Sequence, residues 1–489
     1  MMNDHPVYHF SPPVNWLNDP NGLVYLDGEY HLFYQYHPHS MVWGPMHWGH
    51  AVSKDLVHWQ HLPIALYPDE YGMIFSGSAV VDKHNTAGFG ENSLVAIFTY
   101  NKDHVETQNI AFSIDRGRTW TKYAKNPVIP HPDDQKDIRD PKVFWHEDHW
   151  VMVLAAGDRV LFYISPNLKH WEPSGSFGGG YGSTDGVWET PDLFQLPVSA
   201  SDSRWVLTVG VGSGAYAGGS GTQYFIGDFD GWTFTSQDPK ETILWMDYGA
   251  DFYAPQSWNN EPHERRITLG WMSNWQYARE TPSATWRGIF TLPRELSLLN
   301  TTSGLRLAQA PIRELENIRG EHYHWQNETL KPGVNLLEGV TGACFEIFAE
   351  LEINPQAAMA GFQLRLGETE HTLIGFDVQR QRLVLNRQCS GIVDFHENFA
   401  AIHSVKLQQT NDILRLHIFL DRCSVEVFAE DGCVVLSDLV FPSTSSRGLE
   451  LFVAGGEMKL NRLNVYRLEP MNLKSEYTAG SIPAREENI

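Results

Sequence analysis

The chain has 489 residues, more than a single hydrophobic core commonly serves, so two domains are expected. Hydrophobic residues at 42% and charged residues at 19% exclude a largely disordered chain. Lys and Arg number 36 against 59 Asp and Glu, a formal charge of −23 that disfavours nucleic acid and anionic membrane and leaves a neutral ligand as the expected partner.

The opening MMNDHPVYHF has neither the basic nor the apolar region of a signal peptide. A cytoplasmic protein, or a secreted one whose leader is absent from this sequence, is expected. No apolar run reaches the roughly 18–20 residues needed to cross a bilayer. WLNDPNG (16–22) comes next: Pro20 biases Asp19 towards extended backbone, and Asn21-Gly22 supplies a turn. Seven histidines follow (His31, His37, His39, His47, His50, His58, His61). They alternate with aromatics on predicted strands, which favours packing and surface positions over a metal site, although His47 and His50 have a tempting spacing.

A turn motif then recurs: SKDLVHW (53–59), SIDRGRTW (113–120), SPNLKHW (165–171) and GDFDGW (227–232). The closing tryptophans (59, 120, 171, 232) are 61, 51 and 61 residues apart, and each turn follows an apolar strand. Repeats of this length predict propeller blades, with a fifth around DFYAPQSW and ITLGWMSNW before residue 300. The glycine-rich GVGSGAYAGGSG (210–221) lacks the GK[ST] ending of a phosphate loop and is expected at the rim of the site.

Sixteen of seventeen Trp precede residue 300 and all four Cys follow it. The domains are therefore expected as a propeller over 1–300, a linker with a short helix (RELENIRG) over 301–335, and a sandwich over 336–489. The last reads as alternating strands: FEIFAELEI, GFQLRLG, HTLIGFDV, LRLHIFLD, SVEVFAEDG, GLELFVAG and LNRLNVYRL. Its polar tail after residue 470 is expected to be ordered in part at best. Cys344, Cys389, Cys423 and Cys433 lack a CxxC spacing and read as buried thiols.

In a propeller, inner strands meet at the axis, some 30–45 residues before each closing Trp in blades of about 40 residues. Counting back places Asp19, Ser76, Asp140 and Glu189 in comparable positions on four blades. Asp140 precedes Pro141 within IRDPKVFW, and Glu189 stands two residues before Pro191 in VWETPDLF. Two carboxyls across a sugar can perform glycoside hydrolysis, one ionised to attack and one protonated to release the leaving oxygen. Asp19, in its Asn-rich turn, suits the first role. Glu189, flanked by Val187, Trp188 and Leu193, suits the second through desolvation and carboxylate neighbours. Asp140 can accept from sugar hydroxyls, with Arg139 beside it.

WLNDPNG, FSGS (75–78), RDPKVF and WETPDLF, together with LPREL and DRCSVEVFAEDG further on, resemble glycoside hydrolase family 32 nearly end to end. The stretch from YHLFYQYHPHS to LYPDE is most similar to exo-acting fructan hydrolases of the levanase or exo-inulinase type, and less so to invertases. The resemblance implies a retaining mechanism on β-fructofuranosides, releasing terminal fructose from levan, inulin, fructo-oligosaccharides and sucrose, with no metal or organic cofactor. By the same resemblance Asp19 is nucleophile, Asp140 transition-state stabiliser and Glu189 acid/base. Asn18, Gln35, Trp43, Phe75, Ser76, Arg139 and Trp275 would line the pocket, with Trp271 competing for the last place. The family has Cys after the acid/base where this chain has Thr190, and a shifted basic limb of the pH profile is expected from that exchange.

Three alternatives stay open at this level. A fructosyltransferase would use the same motifs, and a non-catalytic carbohydrate-binding propeller would bind without turnover. A sialidase propeller is suggested by SIDRGRTW, but an acidic site would repel a sialic acid. The sandwich could bind sugar, stiffen the propeller or form a homo-oligomer contact; its lack of a clustered aromatic face favours the structural role.

Overall fold

The computed structural model describes residues 5–133, 135–407, 412–471 and 474–475. Most of the tail expected to be polar therefore lies outside the described residues. The first domain is a five-bladed β-propeller whose four-stranded blades start at Asn15–Leu26, Met73–Asp82, Ile138–His146, Trp188–Ser199 and Tyr253–Ser257. We number these blades I to V. Second strands such as Ser93–Lys102 and His149–Ala156 are buried almost throughout, because neighbouring blades cover both faces. They consequently read as continuous apolar runs rather than alternating ones.

The recurring turn motifs join the third and fourth strands of blades I to IV. In the first, Asp55 Oδ1 accepts from the amides of Val57 and His58, at 3.0 and 2.8 Å, and Leu56 turns with φ 63°. The indole of Trp59 then donates back to Leu56 O at 3.1 Å. Trp120 and Trp171 repeat this bond at 3.1 and 3.0 Å. Trp232 departs from the set and is 51% exposed.

Blade V consists of Tyr253–Ser257, Ile267–Trp271, Arg294–Thr301 and Gly304–Pro311. The propeller strands thus run on to 311, past the boundary expected at 300. The span 301–335 is not a linker: it holds the last blade strand, a short 3-10 helix at Arg313–Ile318, and the strand Arg319–Leu330, which already pairs within the sandwich. Its many exposed polar residues hid that strand from apolar periodicity. The ring closes where Asn15 and Trp16 pair in parallel with Trp286 and Arg287.

The sandwich stacks a six-stranded sheet, ordered from Arg319–Leu330 to Val434–Leu439, on a five-stranded sheet. Phe345, Ile347, Phe362, Phe376, Leu416 and Leu451 fill the space between them. Propeller and sandwich meet across buried ions. Arg294 bonds Glu426 Oε2 at 2.5 Å and Asp247 at 3.1 Å, while His9 lies between Asp421 and Glu426 at 2.8 and 2.9 Å. The four cysteines are free thiols; Cys344 and Cys423 are buried as expected, whereas Cys389 is exposed.

Candidate active site

All five inner strands carry a bulge. In blade I the register with the neighbouring strand slips between Leu17 and Pro20, and in blade II between Ile74 and Gly77. The same slip occurs between Arg139 and Lys142, between Glu189 and Asp192, and between Tyr253 and Gln256. A bulge frees two residues from the ladder and re-aims their side chains. A three-residue pattern marks each bulge: Asn18-Asp19-Pro20, Phe75-Ser76-Gly77, Arg139-Asp140-Pro141, Glu189-Thr190-Pro191 and Tyr253-Ala254-Pro255. Proline, which lacks an N–H, fits a position where the ladder is interrupted. In blade II Gly77 is required instead, since a Cβ there would lie 2.0 Å from Ile97 O.

This pattern corrects the count from the closing tryptophans. In it Thr190, not Glu189, takes the place of Asp19, Ser76 and Asp140; Glu189 stands one residue earlier and keeps its ladder partner Gly210, as Arg139 and Tyr253 keep Ala155 and Trp271. Asp140, Thr190 and Ala254 have φ of 65°, 47° and 50°, a region costly for non-glycine residues. Such strain, about 1–3 kcal/mol per residue, is characteristic of positions held for function.

The residue after each bulge staples the blades below the site. Ser78 donates to Pro141 O at 2.8 Å, and Lys142 pairs with Asp192 at 3.0 Å with both side chains 2% exposed. Ser257 donates twice to Asp192 at 2.7 Å, and Gln256 donates to Thr190 O and Pro191 O at 3.1 and 3.2 Å. Asn21 accepts from Gln35 at 2.8 Å, and Gln35 also donates to Ile74 O.

Above the staples the carboxylates converge. Asp19 Oδ2 accepts from Ser76 at 2.7 Å, whereas its Oδ1 is buried without a partner. Burial raises the Asp19 carboxyl to about 6, with Ser76 pulling it down and the nearby Glu189 pushing it up. Burial also raises Asp140 well above the usual carboxylate range, opposed by Arg139 and reinforced by Glu189 and Asp19. Asp140 Oδ2 accepts from the Thr190 amide at 2.9 Å, and its own amide donates to Thr99.

Glu189 is held from two sides. Arg139 donates to Oε1 through Nε and Nη2, both at 3.1 Å, and the Tyr253 hydroxyl makes a short bond to Oε2. Arg139 is itself anchored by Glu106 and Asp137 at 3.0 and 2.9 Å. Sequence reasoning missed Tyr253, Glu106 and Asp192. The first was visible in the match of FYAPQ to WETPD and IRDPK, and Glu106 as an acid inside a strand that is otherwise mostly buried.

The remaining residues expected at the pocket fall around this cluster. Asn18 is buried and accepts from the Trp16 indole at 2.7 Å. Trp43 and Phe75 meet edge to face at 5.9 Å, and both stay half-buried. Trp271 is fully buried, while Trp275, stacked on Trp16 at 6.0 Å, is half-buried and has a face to offer. The glycine-rich segment joins two strands of blade IV beside the site, with Gly212 close to Glu189. His47 and His50 do not act together: His47 bonds Pro45 O, and His50 bonds His31 at 3.0 Å and stacks on Phe33.

Comparison with known proteins bears on the same residues. The chain matches the glycosyl hydrolases family 32 N-terminal domain over residues 9–311 and the family 32 C-terminal domain over 314–467. It is 53% identical over 476 residues to a levanase of Bacillus subtilis, covering 95% of this chain and 70% of the relative. An extracellular exo-inulinase of Aspergillus niger is 39% identical over 505 residues, covering 94% of both chains. The crystal structure of an exo-inulinase from Aspergillus awamori superposes with a TM-score of 0.89 at 37% identity, covering 96% of this chain and all of that one. With both family domains matched in order on a propeller and a sandwich, the chain belongs to glycoside hydrolase family 32 and is a glycoside hydrolase.

Proposed function

We propose that this protein releases terminal β-D-fructofuranosyl units from levan, inulin, fructo-oligosaccharides and sucrose, with retention at the anomeric carbon. The observation that carries the reading is the placement of Asp19, Asp140 and Glu189 on the inner-strand bulges of three blades. Asp19, its carboxylate fixed through Oδ2 by Ser76, is the group that attacks the anomeric carbon. Glu189 delivers its proton to the leaving oxygen as that bond breaks, leaving a fructosyl ester on Asp19. It then takes a proton from water, which attacks the same carbon and frees Asp19. Asp140 accepts hydrogen bonds from sugar hydroxyls, and Trp43, Phe75 and Trp275 offer aromatic faces to the furanose.

The test is chromatography of products formed separately from sucrose, inulin and levan. Fructose as the sole early product from the polymers is expected, with losses of about 10³-fold or more in Asp19→Asn and Glu189→Gln. Early oligosaccharides would contradict the exo-acting reading, and turnover persisting in Asp19→Asn would remove its assignment as nucleophile.

A further inference from the structure

The Arg387 guanidinium belongs to the sandwich, just after the strand Arg382–Asn386, and its side chain is fully buried. It donates through Nη1 to Asp251 Oδ2 at 2.6 Å, through Nη2 to the Tyr277 hydroxyl at 2.9 Å and through Nε to Phe399 O at 2.7 Å. The Tyr277 hydroxyl in turn donates to Asp251 Oδ1 at 2.7 Å, and the Leu439 amide to Oδ2 at 2.8 Å. Both oxygens of a propeller carboxylate are thereby fixed, one of them from the sandwich alone.

Asp251 opens the short segment that ends in Tyr253. The backbone of this segment is held by the sandwich as well: Ala250 N donates to Asp438 at 2.9 Å and Asp251 N to Ser437 O at 3.0 Å. Two residues on, the Tyr253 hydroxyl bonds Glu189 Oε2. A hydrogen bond weakens steeply with misalignment, so the aim of this hydroxyl depends on how firmly its backbone is seated. Asn274 donates to Ala250 O at 2.9 Å, which ties the neighbouring Trp275 to the same node.

We propose that Arg387 is a positioning residue for Glu189, acting from the sandwich through Asp251 and Tyr253; this rests on the reading of Glu189 as acid/base. The sandwich then does more than stiffen the propeller, because it sets the direction of one of the two groups that hold the proton donor. Around Glu189 stand Arg139 and Asp140 from blade III, Asp19 from blade I and Tyr253 from blade V, with Glu106 of blade II behind Arg139. Arg387 touches only the Tyr253 side of this set.

The experiment measures kcat, KM and the pH dependence of kcat/KM on sucrose for Tyr253→Phe, Arg387→Lys and the double variant. Losing a hydroxyl donor to a carboxylate favours its protonated form, so Tyr253→Phe is expected to move the basic limb up. Arg387→Lys keeps the charge but loses the fork. It is expected to move the limb the same way by a smaller amount and to lower kcat by about 10-fold with KM within about twofold. The double variant should match Tyr253→Phe alone. Tyr277→Phe, which removes the hydroxyl between Arg387 and Asp251, is the milder second probe and should repeat the result should Arg387→Lys fail to fold. An unmoved basic limb in both, or a shift adding in full to that of Tyr253→Phe, would overturn the proposal. Full activity in Glu189→Gln would instead overturn the acid/base reading and this inference with it.

Discussion

The amide of Thr190 donates to Oδ2 of Asp140 at 2.9 Å, joining the residue beside Glu189 to the carboxylate of the adjacent blade. This bond is made by backbone and survives any change of side chain at 190. The Thr190 hydroxyl itself is buried without a partner, and it lies with the Tyr253 ring over Gly210, where a Cβ would approach both within about 3.1 Å. An unpartnered buried hydroxyl costs about 1–3 kcal/mol. Thr190→Cys should therefore keep activity and raise stability by about 1 kcal/mol, read by denaturant unfolding. A drop in stability would contradict the desolvation argument. A basic limb that stays in place would show that the side chain at 190 does not tune Glu189.

Asp19 must be ionised to attack, and burial lifts it to about 6. Activity should accordingly fall on the acid side through about pH 6. Ser76→Ala removes the hydroxyl that lowers Asp19, so the acidic limb of kcat/KM should move up by about one pH unit. A pH–rate series on both proteins checks this, and a limb moving downwards would contradict it.

Asp192 shares a motif with Glu189 but belongs to the frame. Its pairing with Lys142 is buried, and removing one partner of such a pair costs about 3–5 kcal/mol. Asp192→Ala should show a loss of that size in urea unfolding, while folded enzyme keeps its pH profile. A changed profile at unchanged stability would place Asp192 in the chemistry instead.

Two sets of histidines set opposite limits on stability. Burial lowers His9, but hydrogen bonds that its ring donates to Asp421 and Glu426 outweigh it and raise the ring to about 9. Its contribution is present in full below the unfolded value near 6.5 and is lost as pH rises through about 9. Burial lowers His31, His47 and His61 to about 4. The unfolded chain binds protons there first, so stability falls as pH drops from about 6.5 to 4. A Tm against pH should show both limbs, and His9→Gln should flatten the alkaline one.

Much of this molecule is legible in its sequence. The turns ending in Trp59, Trp120 and Trp171 are bonded locally, side chain to neighbouring backbone, so their signal lies within seven or eight residues. Asp19, Asp140 and Glu189 can be singled out in the sequence because proline and aromatic flanks mark their strands. What was missed depends on non-local partners. Arg319–Leu330 is a strand through its pairing with Met458–Leu468, not through apolar alternation. Asp192 and Glu106 take their roles from Lys142 and Arg139, on other blades. A count from tryptophans cannot resolve a bulge of one residue, so it does not tell Glu189 from Thr190 as the counterpart of Asp19.

The five bulges amount to ten side-chain sockets on one frame. Among their occupants Asn18, Asp19, Phe75, Ser76, Asp140, Thr190 and Ala254 have no ladder partner, and the residues just below them hold the blades together. Side chains in these sockets can therefore be exchanged with less risk to the frame than those of the staples beneath. Such a layout separates invention from upkeep: new chemistry can be tried in a socket while the staple ring keeps the molecule standing.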